Sequence, residues 1–332
     1  MVFRIIFLLT ILTGLGCAPP PPEKTGASRA VPVQLKWRHQ AQFAGFYLAK
    51  SKGFYADQNL DVRLTPRNPG LSSYQMAQDL NSGKTLFAIM GGDALLTQKS
   101  KGQPLVAIAV IFQKSPYAYA TLQGSGIKRA QDLKGKKIMV PVDGRTQHLT
   151  LLKKLKIPED TIEYLPYEKD SDLLATGKID ALLVYRTGSG VRLEEAGVKL
   201  NFIWMDDYGI RVYADTLVTT EKTIQDNPAL VLNFLKASLR GWQFAIENPD
   251  EAAKITLTYD PGLLHDLQLK VMQIQTPLIH TGENPMGWMQ ASVWKEMQIL
   301  LKIPEENLDS SRAHTMKFLH EIYPKKTGEQ NQ

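Results

Sequence analysis

The sequence predicts an α/β fold in two lobes, and three features of the 332-residue chain carry that prediction. Short strands of continuous apolar type recur, as in Leu86-Phe87-Ala88-Ile89-Met90 and again at 105–112. Amphipathic helices alternate with them and stop at glycines such as Gly53, Gly83 and Gly102. The strand ends run into polar residues that open the next helix, the place where open α/β sheets bind small molecules.

The stretch 35–64 sets the pattern. Leu35-Lys36-Trp37 reads as a strand end, and Arg38-His39-Gln40-Ala41-Gln42 follows as a run of hydrogen-bonding side chains. Phe43, Phe46, Tyr47 and Lys50 then fall at the spacing of one helical face, Gly53 closes the helix, and Asn59-Leu60-Asp61-Val62 opens the next strand. A second helix is expected over 71–81. Gly91-Gly92-Asp93 follows the strand at 86–90, with Asp93 as the cap of a helix over 94–100. After Gly124-Ser125-Gly126 a new unit begins: a strand at 138–142, then Asp143-Gly144-Arg145-Thr146 before a helix at 148–155. Further strands are expected at 162–165, 178–185 and 202–204, with a short helix up to Thr176. From about Asp215 the pattern turns helical, with helices over 230–246, from Pro249, and over 288–301. The alternation predicts parallel sheets with helices on both faces.

Composition narrows the class. Hydrophobic residues make up 43% and charged residues 22%, ordinary values for a globular protein. The net charge of +6 is mild and no Lys/Arg run exceeds three residues, so no nucleic-acid face is expected. Residues 1–16 carry Arg4 and the apolar run 5–12, the pattern of a secretory signal too short to span a bilayer. The single cysteine, Cys17, excludes an internal disulfide and a Cys-rich metal site. Residues 17–30 read as a Pro-rich, polar tether.

Several segments together resemble one family. LKWRHQAQFAGFYLAKSKGFY at 35–55, FAIMGGDALLTQKSKGQPLVAIAVIFQKSP at 87–116 and DLKGKKIMVP at 132–141 are similar to the thiamine-pyrimidine (SsuA/THI5-like, NMT1-like) type II periplasmic binding proteins. KIDALLVY at 178–185 and LKASLRGWQFAIENPDEAAK at 235–254 extend the resemblance over about residues 31–300. It implies two α/β lobes joined by a two-strand hinge that close on ligand, with crossings expected near Leu122 and Asp215. The first lobe is then 31–121 plus 217–332 and the second 122–216. Cys17 after Gly16 resembles the acylated cysteine of bacterial lipoproteins, with Gly14 where such signals usually carry leucine. The resemblance therefore implies an exported protein held to the membrane by a lipid only.

The candidate ligand contacts each carry a plainer alternative. Trp37 offers a face to stack a flat heterocycle, or plugs the lobe core. Gln40 matches the asparagine with which pyrimidine-binding relatives hold the ring, and Gln42 a second amide position; either also suits a helix start. Gly92 and Asp93 sit where free backbone amides collect, although the same residues make a good structural turn. Gln113 and Ser115 follow the strand at 105–112. Arg145 and Thr146 open the equivalent second-lobe junction, where Arg145 is either an anion partner or a surface loop residue. Relatives commonly read Asn-Glu-Pro after the strand at 178–185, and Gly188-Ser189-Gly190 stands in that place here, leaving Tyr185 and Ser189 as candidates. Of the adjacent acids Asp206 and Asp207, which face opposite ways on an extended chain, Asp207 is taken as the cleft residue.

No HxH, HxxxH, GxSxG or P-loop spacing occurs, so no catalytic, metal or cofactor site is expected. The resemblance implies the solute receptor of an ABC importer, binding a thiamine-pyrimidine precursor of formylaminopyrimidine or hydroxymethylpyrimidine type, or a related heterocycle. Riboflavin and sulfonate- or nitrate-type solutes are alternatives. A eukaryotic branch of the family, a pyrimidine synthase using pyridoxal phosphate, carries a cysteine-rich motif that this chain lacks. For that chemistry Lys36, His39 and Lys114 are the nearest candidates.

Overall fold

The computed structural model describes residues 28–68, 71–141, 144–167 and 172–324. The leader, Cys17, nearly all of the tether, and Asp143 lie outside the described residues. The first strand opens at Arg29, so it takes in the last two residues expected in the tether.

The strands are β1 (Arg29–Gln34), β2 (Leu60–Thr65), β3 (Phe87–Met90), β4 (Leu105–Val110), β5 (Tyr117–Leu122), β6 (Lys137–Met139), β7 (Glu163–Leu165), β8 (Ala181–Tyr185), β9 (Leu200–Trp204) and β10 (Thr216–Thr220). They form two five-stranded sheets, ordered β2-β1-β3-β10-β4 and β7-β6-β8-β5-β9. The helices are α1 (Ala44–Ser51), α2 (Ser73–Asn81), α3 (Gly92–Lys99), α4 (Arg145–Lys154), α5 (Val191–Glu195), α6 (Glu221–Asp226), α7 (Pro228–Glu247), α8 (Pro249–Leu257), α9 (His265–Ile279), α10 (Ala291–Leu300) and α11 (Lys317–Ile322). Among the described residues, no helix is long and apolar enough to cross a membrane.

Both sheets are mixed, which corrects the expectation of all-parallel sheets. β10 runs antiparallel to β3 and β4, and β5 antiparallel to β8 and β9. The cause is the hinge. The parallel strands of each sheet point their C-terminal ends at the seam between the lobes, so a strand arriving from the other lobe enters at that end and runs the opposite way. The crossing positions shift accordingly. The chain is already in the second sheet at Tyr117, so the first crossing spans 111–116 rather than lying near Leu122, and the first-lobe segment ends before residue 121. The return spans 205–215, ending at Asp215 as expected.

Two further elements depart from the sequence reading. β10, Thr216-Leu217-Val218-Thr219-Thr220 with four of its five residues β-branched, is a buried interior strand inside a region expected to be helical. α9 was not anticipated, and Pro277 inside it interrupts the helical pattern. No helix forms in the described residues up to Thr176, where the chain makes turns.

The first-lobe core gathers Val33, Phe43, Phe46, Phe87, Ile108, Phe234, Trp242 and Trp294; the second-lobe core gathers Tyr119, Ile138, Leu151 and Leu183 on one sheet face and Met139, Leu174 and Val184 on the other. The stripe Phe43, Phe46 and Tyr47 is fully buried against this core. α1 crosses α7 so closely that a Cβ on Gly241 would stand 2.2 Å from the Gly45 carbonyl oxygen. Gly241→Ala should therefore destabilise the protein by about 1–3 kcal/mol, because neither backbone can retreat from the crossing; an unchanged urea midpoint would refute this contact.

His148 on α4 ties the helix to the second sheet, bonding Tyr119 through Nδ1 and Tyr164 through Nε2. Burial, with Arg145 adding to it, lowers its pKa from 6.5 to about 4. Between those values the unfolded chain binds a proton that the folded chain refuses, so stability falls as pH drops through that window. Going from pH 7 to pH 5 should cost about 2 kcal/mol from this residue alone. Urea midpoints at the two pH values for wild type and His148→Gln should differ less in the variant; equal differences would remove His148 as the cause.

Candidate functional site

At the seam between the lobes the chain brings together residues from four places. Lys36 follows β1, Gln42 is the middle residue of the helical turn Ala41–Phe43 before α1, Tyr185 ends β8, and Asp215 closes the return into β10. Asp215 is 1% exposed and stands at the centre. Its Oδ1 lies 2.9 Å from Lys36 Nζ and accepts from the Tyr185 hydroxyl at 2.9 Å. Gln42 Nε2 donates to both carboxylate oxygens, at 3.0 and 2.7 Å, and Gln42 Oε1 accepts from Gln40. Lys36 Nζ also reaches the Ala214 carbonyl and the Tyr185 hydroxyl, and lies 4.9 Å from the centre of the Tyr185 ring. A carboxylate this buried is tolerable only because cation and donors surround it.

α9 fixes the first wall of this seam. Gln268 Oε1 accepts from the Ala41 backbone N–H and Gln275 Nε2 donates to the Ala41 carbonyl, both at 2.8 Å. His39 Nδ1 bonds the Tyr47 hydroxyl at 2.8 Å, and Tyr47 stacks on Tyr259 at 4.0 Å. Burial holds the His39 pKa below its ordinary value. Trp37, next to Lys36, is 42% exposed.

The remaining candidates spread along the seam. Gly92 is needed at its position, because a Cβ there would lie 2.8 Å from Met297 Cε and 3.0 Å from the Tyr213 carbonyl oxygen. Asp93 lies within the first turn of α3, whose N-cap is Gly91, and its Oδ1 accepts from the Ala94 N–H. Across the lobes, Gln147 Nε2 of α4 stands 3.5 Å from Asp93 Oδ2. Gln113 donates to the carbonyls of Ile279 and Pro285, and buried Ser115 accepts from Tyr117 N–H; both serve the crossing itself. Arg145 pairs with Glu159 at 2.9 Å and lies over the Tyr164 ring, so its charge is met within the second lobe. Thr146 accepts through its carbonyl from Thr150, one turn on in α4. Ser189 is half-buried in a wide helical turn over Arg186–Gly190.

Of the acidic pair, Asp207 is exposed, while Asp206 lines a cleft of about 210 Å³ with Gln113, Lys114 and Arg211. Asp206, not Asp207, is thus the half-buried acid, and burial raises its pKa. Sequence reasoning missed Asp215, Gln268 and Gln275 as site residues. The signal for Asp215 was its place at the return crossing expected near it, since a crossing residue lies at the seam by topology.

A seam of this kind has parallels among known proteins. The NMT1/THI5-like family model matches residues 40–252. The riboflavin-binding protein RibY of Chloroflexus aurantiacus is 24% identical over 91% of this chain and 89% of its own length. The formylaminopyrimidine-binding protein of Halalkalibacterium halodurans is 24% identical over 89% of this chain and 92% of its own. The yeast 4-amino-5-hydroxymethyl-2-methylpyrimidine phosphate synthase THI13, from Saccharomyces cerevisiae, is 26% identical over 72% and 74%. The periplasmic aliphatic sulphonate binding protein SsuA of Escherichia coli superposes with a TM-score of 0.68 over 86% of this chain and 91% of its own, at 16% identity, a likeness of fold. The fold is that of the periplasmic binding proteins. With the matched segment running from the turn at Gln40 through the whole second sheet and back past Asp215 into α8, the chain belongs to the NMT1/THI5-like family.

Proposed function

We propose that the chain is the solute-binding component of an ABC importer, taking up a thiamine-pyrimidine precursor or a related flat nitrogen heterocycle. One observation carries this reading: a Lys36–Asp215–Tyr185–Gln42 cluster joins both lobes at the seam, beside a half-exposed Trp37. Such a cluster offers hydrogen bonds to a polar ring edge, and Trp37 a face for the ring itself. Export and a lipid on Cys17 belong to the same reading, since a tethered receptor delivers its ligand to a permease in the membrane. Closure then presents the ligand without chemistry.

The yeast relatives are named as synthases, and an enzyme of that kind needs a lysine free to attack a carbonyl. Lys36 Nζ is instead committed to Asp215, and Lys114 Nζ lies 3.9 Å from Glu283. The receptor reading is the better supported.

Isothermal titration of the secreted chain with hydroxymethylpyrimidine, formylaminopyrimidine and riboflavin should give saturable one-to-one binding for at least one of them, with a matching rise in Tm. Asp215→Asn offers one acceptor oxygen where Lys36, Tyr185 and Gln42 now use two, so affinity should fall by about tenfold or more. A flat thermal-shift panel would sink the receptor reading, and a pyridoxal adduct on Lys36 in native mass spectra would replace it with the synthase.

A further inference from the structure

The turn after β8 holds polar groups that the cluster at Asp215 does not use. Arg186 is 8% exposed and Thr187 1% exposed. Arg186 Nη2 donates to Glu194 at 2.7 Å, and its guanidinium lies over the Phe202 ring at 4.0 Å. Arg186 Nη1 and Thr187 Oγ1 are buried with no hydrogen-bond partner. Glu194 is also 3.5 Å from Lys270 Nζ of α9, which places this turn at the seam facing the first lobe. α9 packs against both this turn and the helical turn Ala41–Phe43.

Buried donors left unpaired cost about 1–3 kcal/mol each, more when charged, so a fold keeps them only where something meets them. The carboxylates bordering the same seam already face protein donors. Asp215 faces Lys36, Tyr185 and Gln42, Glu194 faces Arg186 and Lys270, and Asp93 faces Ala94 and Gln147. The unmet capacity on this turn is therefore the Arg186 Nη1 donor and the Thr187 hydroxyl.

Resting on the receptor reading above, we infer that Arg186 and Thr187 make the second-lobe wall a reader of oxygen acceptors, selecting heterocycles with ring carbonyls over aminopyrimidines. An imide edge, a ring N–H between two carbonyls, suits this wall, its carbonyl oxygens meeting the guanidinium and hydroxyl donors. A pyrimidine nitrogen also accepts one bond, but the exocyclic amine is a donor for which Arg186 Nη1 has no acceptor, so an aminopyrimidine makes fewer bonds to this wall than paired carbonyls do.

The test titrates the full secreted chain with riboflavin, which carries such an imide, and with 4-amino-5-hydroxymethyl-2-methylpyrimidine. Wild type should bind riboflavin at least about tenfold more tightly. Thr187→Val should weaken riboflavin binding by about three- to tenfold while leaving Tm unchanged or raised, since it removes an unpaired hydroxyl. Arg186→Met should weaken it by about tenfold or more and leave the aminopyrimidine unaffected. Tighter binding of the aminopyrimidine by wild type, or riboflavin binding by Thr187→Val equal to wild type, overturns this inference and leaves the receptor reading standing. Binding of neither compound by wild type overturns this inference, and the receptor reading falls with it when formylaminopyrimidine also fails to bind.

Discussion

The Asp215 carboxylate is the constraint on which the seam depends. It is the last residue of the return crossing, its backbone carbonyl accepts from Ile111 N–H in the first crossing at 2.7 Å, and its side chain gathers Lys36, Gln42 and Tyr185. One buried charge thus links the two crossings, the first wall and the second lobe. Removing any partner would leave a buried charge or donor uncompensated, which is why these residues act as a unit.

The hinge also explains the sheets. Two passages of the chain between lobes force one antiparallel strand into each otherwise parallel layer, β5 in one and β10 in the other. Those strands are central, not marginal: β10 lies between β3 and β4, and β5 between β8 and β9. The connection between lobes is therefore anchored in the middle of both cores. The close approach of the return to α3, possible because residue 92 is glycine, holds the polar ends of the first-lobe strands near the same seam.

Much of this was legible from residue patterns, and what was missed shares a cause. Local periodicity located β3, β4, α1 and α7, because apolar spacing and glycine stops are properties of neighbouring residues, whereas Leu35-Lys36-Trp37, expected to end a strand, lies past β1, which closes at Gln34. β10 escaped because five residues of Thr, Leu and Val between helical stretches carry no period, and α9 because Pro277 breaks its pattern. Gln40, Gln42 and Tyr185 were singled out and converge directly or in sequence on Asp215, whereas Asp215 draws its role from Tyr185 and Gln42, 30 and 173 residues away, and Gln268 and Gln275 draw theirs from Ala41, 227 and 234 residues away. Arg145 was a reasonable junction residue, but Glu159 and Tyr164 on its own lobe engage it. Choosing between Asp206 and Asp207 required knowing which way a single turn faces.

The clasp that α9 places on Ala41 has a thermodynamic side. Both backbone groups of Ala41 are satisfied by glutamine side chains from one helix, so the turn that carries Gln40 and Gln42 is already ordered before anything docks. A wall set in advance surrenders little conformational entropy on association.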